Sequence, residues 1–275
     1  MKQPVQWRAQ ILALREGSGH RSLTLSGPPA GFSARPGQFV ALAEPGQHPS
    51  ALLRRTGWVV TQDDGLRASA SLDTVTSGRD WLSGLGRKDT VDVIGPIGRP
   101  FSLPKQPTTC LLVGSGPAMA ALIGLGRALV ARDCRVEFIF LQSSDAGYGL
   151  LDARRIASAT HVIDDSPATT DSEVHAALSQ RLDTSTPGVV YSAGSSASLR
   201  LIAEVVTSSG VPHQCLVDFA VGCGTGICAG CALPVRGNDG VARVVRGCTE
   251  GAVFNADLLQ WPDAAAGLAI GSELA

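Results

Sequence analysis

Residues 223–231 read CGTGICAGC, and a fourth cysteine, Cys248, follows Cys231 after sixteen intervening residues. The spacing is C-x4-C-x2-C with a distant fourth cysteine, which is the pattern of plant-type [2Fe–2S] sites. Thiolates bound to iron need backbone N–H donors at their sulfurs. A chain wrapped tightly around a cluster also needs positions with positive φ or with no side chain. Gly222, Gly224, Gly226 and Gly230 supply such positions. A structural zinc site is the competing chemistry; it normally takes C-x2-C pairs from two separate knuckles, and only one such pair occurs here.

Cys110, Cys134 and Cys215 lie in apolar, strand-like runs and read as core filler, because a free cysteine packs as a small hydrophobe. Seven cysteines is an odd number, and the N-terminal MKQPVQWRAQ lacks the basic-then-apolar pattern of a signal peptide. A reducing, cytoplasmic setting is therefore expected. The formal net charge is −1 and no block of lysine or arginine occurs, so neither nucleic acid nor a membrane is expected as a partner. No apolar run approaches the length of a membrane span. The five histidines (His20, His48, His161, His175 and His213) form no spaced motif, so each reads as surface or core, and no catalytic acid, base or nucleophile is assigned.

Three regions must position the cysteines. A chain of 275 residues that is 44% hydrophobic can bury two ordinary cores and a small appendix. Residues 1–104 carry short alternating segments (SLTLSG, QFVALAE, GWVVTQDDG, TVDVIGPIG) broken by glycine and proline, the pattern of a small antiparallel barrel or sandwich, with at most a turn or two of helix near RDWLSGL. From 105 to 212 the pattern is βαβ: strands at TTCLLVGSG, RVEFIFLQ, HVID and GVVYSAG, helices after the first glycine turn, at about 171–183 and at 196–209. A strand at QCLVD then leads into the cysteine loop, and residues 213–275 are assigned to a cluster domain. The turn VGSGPAMAA, with Gly114 and Gly116, has the strand-to-helix form that brings backbone amides against a pyrophosphate. The third position of a G-x-G-x-x-G pattern is Met119, so an ordinary βα turn accounts for it equally well.

Taken together, RPGQFVAL, LLRRTGW, VDVIGPIGRPF, LLVGSGPA and VDFAVGCGTGICAGCALPV…RGCTEGAVFNADLL resemble the electron-transfer subunits of class 1B dihydroorotate dehydrogenase, within the ferredoxin–NADP reductase superfamily. The resemblance runs from about residue 5 to 259. It implies a multidomain β plus α/β fold: a six-stranded FAD-type barrel, a Rossmann-like domain receiving NAD(H), and a small [2Fe–2S] domain. It implies Cys223, Cys228, Cys231 and Cys248 as iron ligands, and a relay of single electrons to a partner catalytic flavoprotein in a hetero-oligomer of pyrimidine biosynthesis. Carried over residue by residue, it implies FAD contacts at Arg55 and in the Gly95-Pro96-Ile97-Gly98 turn, and nucleotide contacts at Gly114 and Gly116.

Several positions depart from the family pattern. After Arg55 the flavin motif Arg-Pro-Ile-Ser continues as Thr56-Gly57-Trp58, and a second diphosphate stretch reads Gly78-Arg79-Asp80. Trp58 either stands in the nicotinamide's stacking place or belongs to the barrel core. The Cys-Gly-Pro segment beside the nicotinamide reads Ser192-Ala193-Gly194-Ser195-Ser196, and the acidic-glycine segment reads Asp164-Asp165-Ser166-Pro167-Ala168-Thr169. Weakened reduction by NADH and NADPH is therefore expected. Two alternatives stay open: a stand-alone or bifurcating NAD(P)H reductase serving ferredoxin or an oxygenase, and a non-enzymatic cluster-bearing subunit with a decayed nucleotide site.

Overall fold

The computed structural model describes residues 3–17, 20–27, 30, 32–43, 54–61, 66–71, 81–142, 149–166, 168–219, 221–237 and 239–261. Gly78, Arg79, Asp80, His48 and the SSDAG connection lie outside the described residues.

Strands β1 (Val5–Gly17), β2 (His20–Leu25), β3 (Phe39–Ala43), β4 (Arg55–Thr61), β5 (Leu66–Ser71) and β6 (Thr90–Ile97) close a barrel in the order β1-β2-β5-β4-β3-β6. Two of them, β1 and β5, carry no strand signal used above. Strand β6 alternates in burial along TVDVI, so that Val91 and Val93 enter the barrel core. That core joins Ile11, Leu23, Leu25, Val40, Leu42, Val59 and Leu66 and is stoppered by Trp81 and Leu82. The stretch Trp81–Gly84 forms turns and not a helix.

A six-stranded sheet follows: β7 (Thr109–Gly114), β8 (Arg135–Leu141), β9 (Ala159–Ile163), β10 (Val189–Gly194), β11 (His213–Val217) and β12 (Val253–Asn255), ordered β12-β11-β10-β7-β8-β9. Strands β7, β8 and β10 are almost wholly buried, as expected for strands covered on both faces. The edge strand β12 runs antiparallel to β11, an addition that the βαβ pattern did not suggest. Because β11 pairs with β10, the sheet continues past the expected boundary at 212/213 and recruits residues from beyond the cysteine loop. Cys134 sits in the turn before β8 and not in the strand, although it is buried as expected.

Helix α1 (Met119–Val130) is apolar nearly all round because it is buried on two sides. A Cβ on Gly124 would lie 2.9 Å from the Val60 carbonyl of the barrel, and one on Gly126 would lie 2.9 Å from the Phe138 ring of the sheet. These two glycines let one helix touch both modules. On the opposite face of the sheet, α2 (Asp171–Ser185) starts with a capping box between Thr170 and Glu173 and buries Val174, Leu178 and Leu182 at helical spacing. Helix α3 (Ser196–Ser209) is capped by Ser195 and ends at Gly210 with φ +70°. Among the described residues, no helix is long and apolar enough to cross a membrane.

His213, at the start of β11, shares a 2.7 Å hydrogen bond between its Nε2 and the fully buried Ser192 hydroxyl. It is therefore a structural histidine, and burial pushes its pKa down to about 4. A folded pKa below the unfolded 6.5 means stability is present above pH 6.5 and is lost as pH falls toward 4. Denaturant titrations from pH 7 to 4 should show wild type losing about 3 kcal/mol relative to His213→Gln across that window; parallel curves would show that His213 already titrates normally.

Candidate functional site

The cysteines converge because of a hairpin. Strands β13 (Ala232–Arg236) and β14 (Ala242–Arg246) pair antiparallel with Ala232 opposite Arg246, so the residues just outside that pair, Cys231 and Gly247, also meet: the Gly247 N–H donates to the Cys231 carbonyl at 2.8 Å. Cys248 follows in the one-turn helix α4 (Gly247–Glu250). The sixteen-residue gap in the sequence is thus the length of this ribbon and its turn.

Around the sulfurs, the backbone supplies donors. The N–H groups of Thr225, Ile227 and Cys228 point at Cys223 Sγ at 3.3–3.4 Å, those of Cys223 and Gly230 at Cys228 Sγ at 3.4 Å, and that of Cys248 at Cys231 Sγ at 3.4 Å. Burial raises the Cys223 thiol, but the Thr225 hydroxyl and the N–H groups outweigh it and bring its pKa to about 6. Cys231 also falls to about 6, chiefly because Cys248 donates a hydrogen bond to it, and Cys248 rises correspondingly. The loop therefore favours thiolates at Cys223 and Cys231. No group of three or more His, Cys, Asp or Glu among the described residues is drawn together tightly enough for a single metal ion. The cysteines instead fall into two pairs joined by main-chain donors: the N–H groups of Cys223 and Cys228 each point at the other's sulfur, and the Cys248 N–H points at Cys231 Sγ. This donor set fits an iron–sulfur cluster spread over two metals better than one zinc.

Glycines make the loop possible where it meets other groups. Gly224, at φ +70°, passes so close to β3 that a Cβ would lie 3.0 Å from Ala41; at Gly222 a Cβ would lie 2.8 Å from Cys228 Sγ. The Arg54 N–H donates to the Gly222 carbonyl at 3.1 Å, fixing the loop to the barrel.

The barrel face beneath the loop carries the expected flavin residues. Arg55 is buried and so is not a solvated surface side chain. Gly95 and Gly98 are accounted for by packing: a Cβ on Gly95 would lie 2.7 Å from Val40, and one on Gly98, at φ +85°, would lie 2.8 Å from the Gly251 carbonyl. The turn joins the barrel to the segment before β12, where the Arg99 N–H bonds the same carbonyl. Trp58 is almost fully buried but lies outside the barrel interior, on the outward face of β4 with Val60. Its ring meets Phe39 edge-on at 5.4 Å, and Phe39 meets Phe219 at 6.2 Å. The Trp58 Nε1–H donates to Asp218 Oδ1 at 3.2 Å, and the Asp218 N–H donates to the Gly194 carbonyl at 2.9 Å. The indole thus spans from barrel to sheet.

The ends of β7 and β10 bound the crevice where strand order reverses, the place where open α/β sheets take ligands. Gly114 packs against the Ala193 carbonyl and Met119, whereas Gly116, at φ +60°, faces open space. The Ser115, Ser195 and Ser198 hydroxyls line this opening, with Ser198 Oγ 3.1 Å from each of the other two. Their donors and the start of α3 fit a phosphate-bearing ligand. The Asp164 carboxylate instead accepts from Ser166 and Thr169 within its own turn. Sequence reasoning missed Asp218 and the serine trio. The available signal was their place at the C-terminal ends of parallel strands.

Barrel, switched parallel sheet and cysteine ribbon together make a multidomain β plus α/β fold. The fold agrees with that of an NADH-dependent reduced ferredoxin–NADP oxidoreductase (TM-score 0.75, 22% identity, 92% of this chain and 90% of that one) and of phthalate dioxygenase reductase (TM-score 0.56, 18% identity, 87% and 76%). Residues 220–260 match the iron–sulfur cluster binding domain of dihydroorotate dehydrogenase B. Across most of its length the chain is similar to dihydroorotate dehydrogenase B electron transfer subunits: that of Desulforamulus reducens (27% identity, 83% of this chain and 87% of the relative), Listeria welshimeri (28%, 81% and 86%) and Enterococcus faecalis (25%, 85% and 90%).

Burial pushes the Asp218 carboxyl up to about 6, and the Trp58 indole N–H pulls partway back. A folded pKa above the unfolded 3.8 means stability is greatest below pH 3.8 and falls as pH rises to 6. Asp218→Asn, which keeps an acceptor for Trp58, should therefore gain stability over wild type above pH 6, by up to about 3 kcal/mol; denaturation at pH 4 and pH 8 measures the difference, and an equal offset at both would refute the shift.

Proposed function

We propose that the chain is an electron-transfer subunit of the dihydroorotate dehydrogenase B type, passing electrons between a nicotinamide/FAD site and a partner flavoenzyme through a [2Fe–2S] cluster held by Cys223, Cys228, Cys231 and Cys248. The observation that carries this reading is the set of backbone N–H groups already aimed at Cys223, Cys228 and Cys231. Bound cofactors supply the redox chemistry, FAD exchanging electron pairs for single electrons and the cluster carrying them singly. The protein's residues hold and orient them. The N–H groups stabilise sulfur charge, the hairpin fixes Cys231 beside Cys248, and Leu233, Val221 and Phe219 keep water from the inner side. Arg55 at the start of β4 grips a diphosphate, and the turn at Gly116 with the neighbouring serines receives a dinucleotide. The partner is a catalytic flavoprotein, in keeping with the names of the relatives, and the assembly is a hetero-oligomer.

Anaerobically prepared protein should carry about two irons and two labile sulfides per chain. Cys223→Ser, Cys228→Ser, Cys231→Ser and Cys248→Ser should each lose most of that iron and the reduced [2Fe–2S] resonance, while Cys110→Ala, Cys134→Ala and Cys215→Ala retain both. Stoichiometric zinc in native protein would sink the cluster assignment.

Trp58 fills the gap between the barrel face and the strand ends, so a nicotinamide approaching a flavin there must displace the indole. NADH should reduce the FAD-loaded wild type slowly in stopped flow, and Trp58→Ser should accelerate it by about 10–100-fold. Complete bleaching of the wild type within milliseconds at micromolar NADH would show that the indole is no obstacle.

A further inference from the structure

Asp218 stands where the three modules meet. It follows β11 directly, and the chain then runs through Phe219 and Val221 to Cys223. The Asp218 N–H donates to the Gly194 carbonyl at the end of β10 at 2.9 Å, and the Val217 N–H before it donates to the Ala252 carbonyl at 3.1 Å. After it, Phe219 is buried so tightly that a Cβ on Gly247 would lie 2.7 Å from its ring. The backbone that carries the carboxylate is therefore held on both sides. Asp218 itself is half-buried. Trp58 is likewise fixed at its main chain, because the barrel ladders pair it with Phe39 of β3 and Ser69 of β5. Its side-chain torsions are what the ladders leave free. The apolar cluster around the ring favours burial but gives it no direction. An indole has a single donor, Nε1–H, and Asp218 Oδ1 accepts it at 3.2 Å. One hydrogen bond across the module boundary thus sets which way the ring lies.

We propose that Asp218 is a positioning residue: by accepting from the indole N–H it holds Trp58 across the path of a nicotinamide toward a flavin. The proposal rests on the reading of Trp58 as an obstacle given above and adds what keeps the obstacle in place. Donor and acceptor come from different modules, the barrel strand β4 and the segment that leads from β11 into the cysteine loop. The ring is therefore set by how barrel and sheet meet, and not by the barrel alone. A buried N–H that loses its acceptor is disfavoured. With an apolar side chain at 218, the indole gains by turning out of the gap until Nε1 reaches water, and the half-buried place of Asp218 is where water comes near. An amide at 218 keeps an acceptor in the same place and so keeps the ring.

The test uses the full chain loaded with FAD and cluster, as wild type, Asp218→Asn, Asp218→Leu, Trp58→Ser and the double variant Asp218→Leu/Trp58→Ser. Flavin reduction by NADH is followed in anaerobic stopped flow. Exchange of the Trp58 indole N–H with deuterium is followed by NMR, its resonance assigned by its loss in Trp58→Ser. Asp218→Leu should be reduced about tenfold faster than wild type and exchange this N–H about tenfold faster. Asp218→Asn, which restores an acceptor, should return both toward wild type, and the double variant should be reduced no faster than Trp58→Ser alone. If Trp58→Ser is faster than wild type and Asp218→Leu is not, the positioning role is overturned and the obstacle reading stands. Trp58→Ser no faster than wild type overturns that reading and the proposal with it. A further gain in the double variant, or Asp218→Asn as fast as Asp218→Leu, also overturns the proposal. So does a wild-type indole N–H that exchanges as fast as one open to water, a measurement that needs no variant at 218 to fold.

Discussion

Sulfur charge held against an apolar junction is the constraint on which the rest of the structure depends. A thiolate beside buried side chains is costly unless hydrogen-bond donors surround it, and here the donors are main-chain N–H groups from residues 225–230. To aim them inward, the loop must turn sharply and skim the barrel wall. That requirement accounts for Gly224 over Ala41 and for Gly222 against Cys228. It also accounts for the ribbon, whose register brings Cys231 and Cys248 together from distant points in the chain.

The three modules share one apolar core. Phe39, Trp58, Val60 and Ile97 from the barrel's outer face join α1, the sheet, Phe219 and Leu233 in a single cluster, while the barrel interior is a separate one. Polar groups at the junction are correspondingly constrained. Asp218 is held between an indole N–H and the strand end, with its carboxyl disfavoured as an anion. Its linkage to pH runs opposite to that of His213, so the two compensate across the acid range.

Trp58 ties the barrel to the sheet. On the outward side of β4 a small polar residue would leave open space between barrel and sheet. The indole closes that space, bonds across it to Asp218 and adds an edge-on contact with Phe39. The neighbouring strand ends leave open space at Gly116 and bring the Ser115, Ser195 and Ser198 hydroxyls together.

The sequence by itself determined the features governed by local spacing. Cysteine positions, the βαβ alternation, the capped helices after Thr170 and Ser195 and the glycine turn at 114–116 all depend on residues a few positions apart, so their chemistry is written consecutively. Tertiary structure decided what depends on distant partners. The edge strand β12 joins the sheet only because the chain returns from the cysteine ribbon, and β1 and β5 are strands because barrel neighbours supply their hydrogen bonds. Gly95 and Gly98 look like cofactor glycines in one dimension, and in three the fold also packs Val40 and the Gly251 carbonyl against them. Asp218 has only its place after a strand as a local signature, and Val221 and Leu233 have none: whether such a side chain is buried, paired or exposed is set by what the fold lays against it, and that information is spread over the whole chain.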